Sequence, residues 1–204
     1  MDVSRSMLAR LRARLRREPA AVRRRIRVVH ADATRLSLKR RFDLVIVPYY
    51  TFNYFLSTRG REAALRRFAE HLTEGGRLLI DVFIPLARIA RPPRAPLLRM
   101  DMRLPRGERL RGWNLYSMDV RRQLETRRHL IVHDTADGRT QKRRFTIHRR
   151  WWHAAELRGL FRAGGLEIED VFAGYRRRRA RGDAEQLIWV LYRPRPCPRP
   201  RSSP

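Results

Sequence analysis

Lysine is nearly missing from this sequence: among 48 basic residues only Lys39 and Lys142 are lysines, and the rest are arginines. Cysteine is scarcer still, since Cys197 stands alone. One thiol excludes an internal disulfide framework and any zinc site built on several thiolates. Long apolar runs are missing too. Leu44 to Tyr50 and Leu78 to Leu86 are the longest, well short of a bilayer span, and Asp81 interrupts the second, so no transmembrane helix and no membrane partner are expected. Glycine occurs eleven times but never as Gly-x-Gly. Acidic residues number only 20, which leaves a formal charge of +28.

What is present can build a core. Hydrophobic residues make up 43% of a 204-residue chain, an ordinary globular share and a length that suits one domain, or one with an extension. The arginines occupy nearly every polar face, from Arg5–Arg17 to Arg176–Arg179, instead of gathering in one aromatic-studded stripe. A GC-rich genome produces such an imbalance without selection, and a selected polyanion-binding surface is the alternative. Salt-dependent, non-specific nucleic-acid binding is expected either way.

Ser4 can cap a helix whose apolar positions Met7, Leu8, Leu11 and Leu15 recur at helical spacing before Pro19. Such an Arg-rich start resembles a transit peptide, but it runs with little linker into a strand expected at Arg25 to Ala31, which favours a cytoplasmic chain. Phe42 to Pro48 reads as a strand buried on both faces. Residues 58 to 72 form a helix with Ala64, Leu65, Phe68, Ala69 and Leu72 on its buried stripe. Glu62 can pair with Arg66, and Gly75-Gly76 offers a left-handed exit. Leu78 to Ile84 is a second buried strand, and strand, helix, strand with short joins signals a parallel sheet.

Residues 86 to 98 read as a loop. From 98 to 150 the pattern shifts to period two, with Asp137-Gly138 as a two-residue hairpin turn, so an antiparallel β insertion is expected. Trp152 to Ala163 is helical with Gly164-Gly165 as its cap, and Leu166 to Phe172 and Gln186 to Tyr192 are strands. Residues 193 to 204, with five prolines, read as a disordered or polyproline tail. The domain thus spans 1–192.

The order of these landmarks resembles a class I S-adenosylmethionine-dependent methyltransferase. Asp2-Val3, followed by Ser4 and Met7-Leu8, is similar to the segment ending the family's second strand, whose acidic residue binds the ribose hydroxyls. Asp32-Ala33 is similar to the pair that holds the adenine. Phe42 to Ile46 resembles the fourth strand, Leu72 to Asp81 the Gly-Gly turn into the fifth, and Trp152 to Val171 the closing helix and sixth strand. The resemblance implies a Rossmann-like α/β fold, a mostly parallel sheet with the β insertion, and S-adenosylmethionine as cofactor at Asp2, Val3, Asp32, Ala33 and Pro48. A carboxylate that accepts both ribose hydroxyls is the task such an acidic residue performs in dinucleotide-binding sheets.

The departure is the family's acidic-Gly-x-Gly-x-Gly loop and its first strand, for which no counterpart exists here. The expectation is an N-terminally incomplete domain that binds cofactor poorly, from a shortened gene model. Otherwise the gap is filled by another chain, or the strands flanking it close directly on each other.

Methyl transfer needs an oriented nucleophile more than a dedicated base, so no catalytic acid or base is assigned. Pro48-Tyr49-Tyr50-Thr51-Phe52-Asn53-Tyr54 lies where the methyl group would be presented, and Tyr49, Tyr50 and Tyr54 are the substrate-facing candidates. It matches the Asx-Pro-Pro-aromatic motif of nucleic-acid amino-methyltransferases only in part, since Val47 replaces the amide or acid and a second proline is lacking. His129 and His133 lie roughly 13 Å apart on one strand, too far to share an ion. Trp113, Trp151 and Trp152 are either core or a stacking platform. The function implied is methyl transfer to a nitrogen or oxygen of a small molecule, impaired in this chain. The alternative is a basic RNA-associated protein or RNA methyltransferase on the same scaffold.

Overall fold

The computed structural model describes residues 1–91, 93–176, 178–180 and 184–194. Cys197 and most of the proline-rich tail lie outside them. The chain forms helices α1 (Arg5–Leu15) and α2 (Ala20–Arg25), strand β1 (Phe42–Val47), helix α3 (Thr58–Glu70), strand β2 (Leu72–Phe83) and the short helix α4 (Leu86–Ala90). Strands β3 (Leu97–Arg103), β4 (Arg109–Asp119), β5 (Leu124–Asp134) and β6 (Thr140–Arg150) follow, then helix α5 (Ala154–Ala163) and strands β7 (Glu167–Ala173), β8 (Arg178–Arg179) and β9 (Gln186–Tyr192). Helix α4 lies in the stretch read as a loop.

The first sheet has the order β1-β2-β9-β7-β8. β1 and β2 run parallel, as a helical crossover requires, while β9 lies antiparallel to both β2 and β7. The Rossmann-like sheet is therefore mixed, its parallel part confined to β1 and β2 within these strands. Register puts Val45 and Val47 on one face with Leu78, Ile80 and Val82 and with Leu187, Trp189 and Leu191. That face packs with Leu65 and Phe68 of α3 and with Leu157 and Phe161 of α5 into a single core. Each such side chain contributes roughly 1.5–3 kcal/mol on leaving water. Ser57 starts α3 by accepting the Gly60 N–H at 3.1 Å.

Several expectations are corrected. β1 is not buried on both faces, because Leu44 and Ile46 are 49% and 56% exposed and only the opposite face carries α3 and α5. Arg25 to Ala31 is not a strand. Its pairing shrinks to one parallel bridge, Asp2 with His30, in which Asp2 N–H donates to Val29 O and Ala31 N–H to Asp2 O, each at 3.2 Å. One residue in reach cannot extend a ladder, and among the described residues no strand pairs with the outer edge of β1. Helix α3 ends at Glu70 with His71 as its cap, so the double glycine falls inside β2. There Gly76 lies against backbone, where an added Cβ would meet Thr73 O at 2.9 Å. The ion pair on α3 is Arg67–Glu70 at 2.8 Å, not Glu62–Arg66.

Strands β3-β4-β5-β6 form a separate antiparallel sheet. Its last hairpin turns through Ala136–Gly138, with Thr135 N–H donating to Arg139 O at 2.9 Å and Gly138 at φ 78°. This is one residue longer than the expected turn, with the glycine taking the left-handed position that such a loop needs. Asn53 clamps the two sheets together. Its Nδ2 donates to Phe83 O at 3.0 Å and to Arg150 O at 2.7 Å, and its Oδ1 accepts from Phe83 N–H at 3.1 Å.

Candidate active site

The turn after β1 is strained. Tyr49 and Tyr50 sit at φ 55° and 60°, consecutive left-handed conformations that cost an L-residue roughly 1–2 kcal/mol each. Their neighbours over-determine the turn. Thr51 donates through both N–H and Oγ1 to Pro48 O, at 3.2 and 2.7 Å, and Asn53 N–H donates to Tyr50 O at 2.9 Å. Phe52, fully buried, packs edge-on or tilted against Phe55, Trp152 and Phe161. The strain aims two side chains: Tyr49 is 80% exposed, while Tyr50 rests on Phe83 with ring centroids 5.3 Å apart. Tyr54 is exposed as well.

Below this turn Asp81 is buried and accepts from Tyr175 Oη at 2.6 Å and from Gln186 Nε2 at 3.2 Å. Burial first, then the hydrogen bond to Asp81 and its charge, push the Tyr175 phenol up to about 12. Burial and the Asp81 charge raise Tyr50 also. In the sequence Asp81 is only an interruption of an apolar run; here it anchors a polar layer under Tyr49 and Tyr50.

The cofactor candidates divide into two groups. The Asp2–His30 bridge brings Asp2 and Asp32 out of neighbouring parallel segments at the same end. Asp2 Oδ1 accepts the Ser4 N–H at 2.8 Å, and Asp32 Oδ1 accepts the N–H and Oγ1–H of Thr34, both at 2.8 Å. Those Thr34 bonds hold the Asp32 carboxyl below its usual range. The second oxygen of each carboxylate has no hydrogen-bond partner among the described residues. Val3 is exposed, with its carbonyl 3.0 Å from His30 Nε2, and Ala33 packs on the core edge. This end fits a nucleoside. Beside Pro48, in contrast, no glycine-rich run of amides is present among the described residues, so a fit is found for the ribose and adenine but not for an amino-acid tail.

Over the Tyr50 turn lies the inner face of the antiparallel sheet, which the sequence reading missed. Glu125 there is 2% exposed at its side chain and takes three guanidinium groups. Arg149, 7% exposed, donates Nε to Oε2 at 2.7 Å and adds a second bond through its terminal nitrogen. Arg88 Nε donates to Oε1 at 3.0 Å, and Arg127 stands 3.6 Å away. Arg149 also lies over Phe83 and Tyr50, at 4.9 and 6.0 Å. Arg88, Arg127 and Arg99 surround the Tyr116 ring at 4.7, 4.9 and 5.7 Å. Burial alone would raise the Tyr116 phenol, but the Asn114 hydrogen bond and the charges of Arg127 and Arg99 outweigh it and lower it. Period-two spacing puts Glu125, Arg127 and His129 on one face and could have revealed the cluster, but 46 arginines gave it no contrast.

His129 stacks on Phe145 at 4.5 Å, and His133 Nε2 lies 2.8 Å from Glu108. Among the described residues no three His, Cys, Asp or Glu side chains are placed to hold a metal, and no helix is long and apolar enough to cross a membrane. Trp151 and Trp152 are core, which settles the stacking alternative for that pair, whereas Trp113 lines an outer groove with Leu115 and Leu130.

The family profile described as "Methyltransferase domain" matches residues 1–76. A search of curated protein sequences gives no match. Among solved structures, an S-adenosylmethionine-dependent methyltransferase from Clostridium acetobutylicum ATCC 824 superposes with TM-score 0.78 at 15% identity, over 95% of this chain and 73% of that one. The CcbJ methyltransferase of Streptomyces caelestis gives 0.73 at 20%, over 94% and 72%. The sugar N-methyltransferase KedS8 from Streptoalloteichus sp ATCC 53650 gives 0.71 at 19%, over 95% and 69%. The profile match over residues 1–76 and the fold of the whole chain are thus similar to those of S-adenosylmethionine-dependent methyltransferases.

Proposed function

We propose that this chain methylates a nitrogen or oxygen of a small molecule in the cytoplasm, with the acceptor seated between the Tyr49-Tyr50 turn and the inner face of the antiparallel sheet. The observation that carries this reading is the pair of left-handed tyrosines at the end of β1, of which Tyr50 meets Arg149 of the sheet that Asn53 clamps to the turn. Strain of this kind persists where the surroundings enforce it, and it clusters at functional sites. The similarity to a sugar N-methyltransferase supports a small acceptor.

S-adenosylmethionine, when bound, supplies an electrophilic methyl group on a sulfonium. Asp2 and Asp32 would hold its ribose and adenine. Tyr49 and Tyr50 orient the acceptor, and the overlying sheet keeps water from the nucleophile, which together supply most of what such a transfer requires. With no amide loop for the amino-acid tail, affinity in residues 1–204 rests on the nucleoside end. The test is incubation with methyl-labelled S-adenosylmethionine and a panel of small amines and alcohols, read as labelled product and S-adenosylhomocysteine. Label in a small acceptor, reduced at least about tenfold in Tyr50→Ala, is expected. Transfer only to added RNA, or none with any acceptor, would overturn it.

A further inference from the structure

We propose that the acceptor carries an oxyanion, a carboxylate or phosphate, bound by Arg127 and Arg99 beside Tyr116; this specifies the substrate class of the methyl-transfer reading and rests on it. The argument starts from charge. Within the cluster, Arg88, Arg127 and Arg149 share one carboxylate, Glu125, and Arg99 adds a further guanidinium over the Tyr116 ring. Guanidinium groups drawn out of water need hydrogen-bonded counter-charge, and one carboxylate does not neutralise three.

The shortfall falls on particular residues. Arg149 and Arg88 hydrogen-bond the two Glu125 oxygens, at 2.7 and 3.0 Å. Arg127, at 3.6 Å, is beyond hydrogen-bond reach of that carboxylate, and its Nε is buried with no partner. Burial first, then the charge of Arg149, push its guanidinium down. Two residues along the same face, His129 Nε2 is also buried and unpartnered, and burial with the Arg127 and Arg149 charges pushes that ring below its ordinary value. Arg99, exposed on β3, shares the Tyr116 ring with Arg127.

Two guanidinium groups that make no hydrogen bond to a carboxylate, Arg127 and Arg99, thus lie over one phenol ring, that of Tyr116. Such paired forks match carboxylate and phosphate oxygens. Arg149 and Arg88 connect this position to Tyr50 through the Phe83 ring. An acceptor anchored here by its oxyanion would therefore extend its nucleophile toward the Tyr50 turn.

The test titrates the full chain with inorganic phosphate and, separately, with acetate at constant ionic strength by calorimetry. Arg127→Gln and Arg99→Gln are compared with Arg139→Gln, an exposed hairpin-tip arginine paired with Asp137. Arg99 is exposed, so its variant keeps the test valid should Arg127→Gln unfold. Saturable binding that weakens at least about tenfold in Arg127→Gln and several-fold in Arg99→Gln, with Arg139→Gln unchanged, is expected. Phosphate binding alone assigns a phosphate ester, and acetate binding of equal strength a carboxylate. Equal phosphate binding by all three variants means general surface charge and overturns the proposal. S-adenosylhomocysteine is titrated into the same samples. Its failure to bind while the Arg127 dependence holds removes the methyl-transfer reading but leaves the oxyanion site, and the converse pattern does the opposite.

Discussion

Replacing Tyr49 with glycine separates strain from packing at the candidate site. Tyr49 is 80% exposed at φ 55°, so its ring contributes little burial while its backbone bears a left-handed penalty. Glycine removes a penalty of roughly 1–2 kcal/mol and costs about 0.5–1 kcal/mol in chain entropy, which leaves a net gain near 0.5 kcal/mol. In a chain of this length that raises Tm by roughly 1–2 °C, measured by scanning calorimetry. Methyl transfer should move the other way, with KM for the acceptor rising about threefold or more as the exposed ring is lost. A stabilised variant with unchanged KM would mean that the strain serves no acceptor. A destabilised variant would mean that the ring makes contacts its exposure does not show.

Asn53→Ala should lower stability by roughly 2–4 kcal/mol, since it strips partners from Phe83 N–H, Phe83 O and Arg150 O, and urea titration measures the loss. Glu125→Gln leaves Arg149, Arg88 and Arg127 without their buried counter-charge, so a loss of about 3–5 kcal/mol, smaller in added phosphate, is expected by the same method. The Tyr175 phenol, raised to about 12, favours the protonated form in the folded chain, so its stabilising effect is complete below the ordinary phenol value of 10 and disappears as pH climbs toward 12. Tyr175→Phe should flatten stability against pH over that window, and an unchanged slope would contradict it.

The elements that hydrophobic spacing defines were legible in the sequence. Phe42–Val47, α3 and β2 follow from continuous apolar runs joined by a capped amphipathic helix, and the period-two stretch marked the second sheet. Arg25 to Ala31 misled because its aliphatic residues suit a strand, yet a strand exists only where a partner ladder exists, and Asp2 supplies one residue of it. Burial of Leu44 and Ile46 was over-read for a related reason: apolarity records what a face could bury, not whether a helix covers it. For the proposed site, Asp2, Asp32, Tyr49 and Tyr50 were candidates from their order relative to strands. Asp81 and Tyr175, 94 residues apart, meet only in three dimensions, and the left-handed pair has no signature in residue type. The Glu125 cluster combines three strands and α4, so its charge imbalance appears only once register is known.

The most direct test is a calorimetric titration of the 204-residue chain with S-adenosylhomocysteine and with adenosine, repeated on Asp32→Asn. If Asp2 and Asp32 hold the nucleoside as proposed, with no glycine-rich run of amides among the described residues for the amino-acid tail, the two ligands should bind within about tenfold of each other. Asp32→Asn should weaken both by about tenfold or more, the loss of a hydrogen bond to a charged acceptor. Binding of S-adenosylhomocysteine that is indifferent to Asp32, or no saturable binding of either ligand, would contradict the assignment of a methyltransferase cofactor site to these residues.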